Sequence, residues 1–170
     1  GGNELYVASS ITNKVNRATL GAGTTPAWSN VYTGPGACYG LGYDWKRQIL
    51  YTFTGPAAAT RNLRGIDVDP SSATYGTEIA ATSNLLAGVG GAERWAMSPS
   101  CNRIAVPTGV LAPGYLLLVD TDPSSATYMT AVVNTPIPTT GSLLAVSAGF
   151  GPDDQFVYVV LTGINGSSVV

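Results

Sequence analysis

The sequence predicts an all-β protein, a β-propeller segment of four-stranded antiparallel blades, two of them complete and two partial. Three observations carry that expectation. The heptad Asp-Pro-Ser-Ser-Ala-Thr-Tyr stands at 69–75 and again at 122–128, in matching surroundings: Gly-Ile-Asp-Val precedes one copy and Leu-Val-Asp-Thr the other. Three strand–turn–strand units recur along the chain. No window holds apolar residues at i, i+3, i+4, i+7 free of Gly or Pro, so no helix is expected. An internal repeat fixes the architecture before any single motif is weighed.

The first unit runs through Tyr39–Tyr43, the polar turn Asp44–Gln48 and Ile49–Phe53. The second is Arg94–Met97, Ser98–Arg103 and Ile104–Val106, and the third Leu144–Ala148, Gly151–Gln155 and Phe156–Leu161. Each is a pair of Val-, Ile-, Tyr- and Thr-rich segments around a tight turn, which reads as a β-hairpin. A third strand follows the first two hairpins, at Leu63–Val68 and Tyr115–Thr121. The heptad then turns the chain into a fourth strand, Tyr75–Ala81 or Tyr128–Asn134. Pro70 and Pro123 suit a turn because their φ is preset, and the Asp before each can close an Asx-turn. Four antiparallel strands every 45–55 residues or so is the pattern of a propeller blade. Approximate blades span 1–34, 35–88, 89–141 and 142–170.

Leu5–Ala8 matches Leu50–Phe53, so the pattern opens at a second strand; Lys14–Leu20 and Trp28–Thr33 then serve as third and fourth strands. It stops where another third strand begins. Open strand edges are therefore expected at both ends, filled by the rest of a longer propeller or by another copy of the chain, since free edges invite pairing.

The segments "NELYVASS" (3–10), "LLLVDTDPSSATYMTAVV" (116–133) and "DDQFVYVVLTG" (153–163) resemble the YVTN-type repeat propellers, which include lactonase-like proteins of microbial envelopes. The shared pattern is a Pro-Asp-Gly-like turn, a Tyr-Val strand, and an apolar strand ending in Asp before a Thr-rich turn. The resemblance implies fold; it implies no particular activity.

Only 11% of residues are charged and the net charge is −2, so nothing points to a nucleic-acid footprint and no nucleic-acid partner is expected. No apolar run reaches the length of a membrane span. A surface made water-compatible by hydroxyls and backbone rather than by charge is common in extracellular β-proteins, so an extracellular, periplasmic or cell-surface location is expected. The absence of histidine removes Ser-His-Asp and Cys-His arrangements and the common zinc sites. Asp67 with Asp69, and Asp120 with Asp122, place paired carboxylates at i, i+2, but lack the further acidic position and Gly of calcium loops, so turn capping is the expected role and no metal or cofactor. Cys38 and Cys101 fall near opposite ends of neighbouring inner strands, too far apart for a disulfide, with Cys101 expected to be the more exposed.

The candidate ligand-binding residues are Trp45, Glu93 and Arg94. Trp45 sits in a turn, where a core role is least natural, beside Lys46 and Arg47. Glu93 heads an inner strand next to Arg94 and Trp95, a place from which it could line a channel, although a salt bridge is its blander use. Trp28 and Trp95 are expected to pack between blades. Asn165-Gly-Ser167 fits the N-glycosylation pattern. The reading is a binding or structural module with a protein or glycan partner. Its competitors are a lactonase-like or glycoside-processing hydrolase and a self-assembling surface or filament protein.

Overall fold

The structure, a computed structural model, describes residues 3–21, 25–55, 57, 60–86, 94–108, 114–137, 143–163 and 166–169. Among them lie fourteen strands and no α-helix. They form four antiparallel sheets. The first contains β1 (Glu4–Ala8), β2 (Lys14–Thr19) and β3 (Trp28–Thr33). The second contains β4 (Cys38–Asp44), β5 (Ile49–Thr54), β6 (Asn62–Asp67) and β7 (Glu78–Ala81). The third contains β8 (Ala96–Met97), β9 (Arg103–Thr108), β10 (Tyr115–Asp120) and β11 (Ala131–Pro136), and the fourth β12 (Leu143–Phe150), β13 (Val157–Gly163) and β14 (Gly166–Val169).

Strands are hydrogen-bonded in chain order within every sheet, so each sheet is a meander. The β4–β5 and β8–β9 hairpins are the predicted ones, and β6 and β10 are the predicted third strands to within a residue. The fourth strands begin later than expected. Residues 75–77 and 128–130 belong to the turn, because the heptad forms a longer hydrogen-bonded unit than a four-residue turn.

That unit is the same in both copies. The Asp69 carboxylate accepts the Ser71 amide (2.9 Å) and hydroxyl (2.7 Å), and Asp122 does the same for Ser124 (3.0 and 2.8 Å). Asp67 accepts the Asp69 amide at 2.9 Å and the Thr74 hydroxyl at 2.6 Å, while Asp120 accepts the Asp122 amide at 3.0 Å and the Thr127 hydroxyl. Both members of each carboxylate pair therefore cap backbone, not only the second. The two heptads connect third to fourth strands in adjacent sheets.

Burial alone would raise the carboxyl pKa of Asp67 and Asp120. Hydroxyl and amide donors outweigh it and hold both groups below the ordinary carboxylate range. A depressed folded-state pKa contributes stability above the unfolded value, about 3.9, and that stability is lost as pH falls through the folded values. The urea midpoint should therefore drop on acidification below about pH 4. The D67N/D120N double variant should show a shallower drop between pH 5 and pH 2; an unchanged slope would remove these turns from the acid response.

The second strands of the middle two sheets are buried along nearly their whole length, β5 at every position and β9 at all but its first, so these sheets bury both faces there, whereas β1 of the first sheet has no buried residue. The largest cluster joins the second and third sheets through Ile49, Tyr51, Phe53, Leu63, Ile104 and Val106. A second joins the first two sheets through Val15, Tyr32, Leu50 and Ile66. Trp95 packs between blades as expected: its ring meets Phe53 edge-on at 5.8 Å, and its indole N–H donates to the Tyr39 carbonyl at 3.3 Å. A Cβ on Gly40 or Gly42 would lie 2.5 Å from that indole, so these two positions need glycine to admit it.

Trp28 departs from expectation. It opens the outermost strand of the first sheet and is 51% exposed, because no further strand covers it among the described residues. The cysteines are free, but Cys101 is as buried as Cys38, at 1% against 2%. Its positive φ of 64° places a turn residue where its side chain is covered, and burial pushes both thiols up in pKa.

Candidate functional site

Each inner strand ends in a polar turn, and the turn after β4 carries the site. Asp44 fixes it by accepting the amides of Lys46 (2.9 Å) and Arg47 (3.0 Å), an Asx-type cap that leaves Trp45 at the apex. Trp45 is 62% exposed. Lys46 folds back, its ammonium 5.5 Å from the Trp45 ring while donating to the Ser100 carbonyl at 2.9 Å. One face of the indole is thus held by a cation–π contact to a lysine anchored on the third sheet.

Trp45 borders a groove of about 630 Å³ between the first and second sheets. Glu4 and Tyr6 of β1 form one wall, and Leu41 and Tyr43 of β4 with Leu50 of β5 the other; Gln48 and Pro70 close the turn end. The spacing that puts Glu4 with Tyr6, and Leu41 with Tyr43, on one face is the period of two of a strand. The rings of Tyr6 and Tyr43 stack across the groove, 6.3 Å apart and 25° from parallel.

The groove is aromatic, with one carboxylate, Glu4, in its lining. Glu4 accepts the Tyr6 hydroxyl at 2.9 Å and pairs with Arg17 at 3.2 Å. Burial raises the Tyr43 pKa, and the carboxylates of Glu4, Asp44 and Asp69 raise it further. Burial and Glu4 do the same to Tyr6. The phenols therefore stay protonated at neutral pH, as neutral donors and stacking faces. Such a surface can take up apolar or aromatic groups.

Of the sequence-predicted site residues, Trp45 lies on this groove. Arg94 is exposed and does not join it: Trp95, next to it, contacts Tyr39 at the start of β4, whereas Trp45 follows that strand's end. Glu93 and Asn165 lie outside the described residues. Tyr6, Tyr43 and Glu4 were missed, and their signal was the matched alternation in "ELY" and "LGY".

No protein-family model matches the chain, and no curated protein matches it. Solved structures do. It is similar to Chaetomium thermophilum Sqt1, crystallised bound to the N-terminus of the ribosomal protein L10, with a TM-score of 0.66 and 19% identity over 94% of this chain and 40% of that one. It is also similar to the WD40 β-propeller domain of Doa1, with a TM-score of 0.51 and 10% identity over 99% of this chain and 64% of that one. The fold is a β-propeller, of which this chain spans less than two thirds of either neighbour.

Proposed function

We propose that this chain is a protein-binding propeller module that takes an extended peptide into the aromatic groove at Trp45, Tyr43 and Tyr6. The observation that carries the reading is a half-open groove with two stacked phenols, an exposed tryptophan braced by Lys46, and a carboxylate at its edge. Aromatic anchors in a partly desolvated slot are where peptide interfaces concentrate their binding energy. The Sqt1 neighbour, crystallised with the N-terminus of a protein, supports a peptide as the type of partner. The YVTN-type repeat lineage and a location outside the cytoplasm belong to the same proposal. The quoted Tyr-Val strands support the first, and the low charge content supports the second.

Selection of a random peptide library on the immobilised chain tests it. Enriched peptides should lose about thirtyfold in affinity on Trp45→Ala, the roughly 2 kcal/mol of an aromatic anchor. The same substitution should leave unfolding free energy within about 0.5 kcal/mol, because the side chain is mostly in solvent. Enriched peptides that bind W45A undiminished would overturn the reading. So would glycan-array binding lost on W45A with no peptide enriched, which would make the groove a sugar platform.

A further inference from the structure

We draw no further inference here: the strongest candidate, the uncharged outer edge of β11 in the third sheet, which pairs with β10 alone among the described residues, carries nothing, because a bulge opposite Leu118 and Val119 and the missing N–H of Pro136 blunt it and nothing in the structure shows what covers it.

Discussion

Phe53→Ala is expected to lower unfolding free energy by about 4 kcal/mol, a large share of the 5–15 kcal/mol typical of a domain. Phe53 is fully buried in the cluster that joins the second and third sheets. Deleting its ring removes the transfer free energy of a benzyl group and leaves a cavity between two sheets that cannot close on it easily. It also removes the edge-on contact with Trp95, worth about 1 kcal/mol beyond area. That last part is separable. In a double-mutant cycle, F53A and W95A should fall short of additivity by at least about 0.5 kcal/mol. Phe53→Leu should cost less than half as much as F53A. An unfolding free energy from urea titration that falls by under about 1 kcal/mol for F53A would show that the sheets are not coupled through this contact.

Those sheets were readable because their information is local and repeated. Hairpin turns, the Asp-Pro turn start and strand alternation each act over a few residues, and two copies of the heptad confirm each other's register. The end of the heptad turn was harder to place. The Thr74 and Thr127 bonds back to Asp67 and Asp120 span seven residues, and they delay the fourth strand beyond where β-propensity alone would start it. The groove was legible only at Trp45. Its other residues come from β1 and β4, adjacent in space through blade packing, and no sequence period links Tyr6 to Tyr43. Trp28 shows the opposite failure. A tryptophan on a strand suggests burial, yet its strand is the outermost of the first sheet, and packing there depends on what lies beyond the edge. The Gly40–Gly42–Trp95 fit was equally hidden, since two glycines in a strand read as weakness until the indole they admit is known.

Arg47→Ala is expected to cost about 3 kcal/mol, out of proportion to a turn residue, because Arg47 ties two blades through one buried carboxylate. Its guanidinium bonds Asp44 at 2.7 Å within its own turn. It then reaches the next blade, donating to the Cys101 carbonyl (3.4 Å), the Asn102 side chain (3.0 Å) and Asp122 (3.3 Å). Asp44 is fully buried, so removing the arginine strands a charge in low dielectric. Two backbone amides still reach that carboxylate, which puts the loss at the lower end of what broken buried pairs cost. The Asp122 arm lies at the rim and is screened, so the coupling between Arg47 and Asp122 in a double-mutant cycle should stay under about 1 kcal/mol, whatever Asp122→Ala costs through the lost Ser124 cap. Arg47→Lys keeps the charge but cannot make a forked contact to several acceptors at once, and should recover under half of the loss. Because the buried Asp44 arm dominates, the R47A deficit should persist in about 1 M salt, where rim pairs fade. A deficit that disappears at high salt, or a lysine that restores full stability, would mean that the clamp is a surface ion pair and that the blades are held by their apolar faces alone.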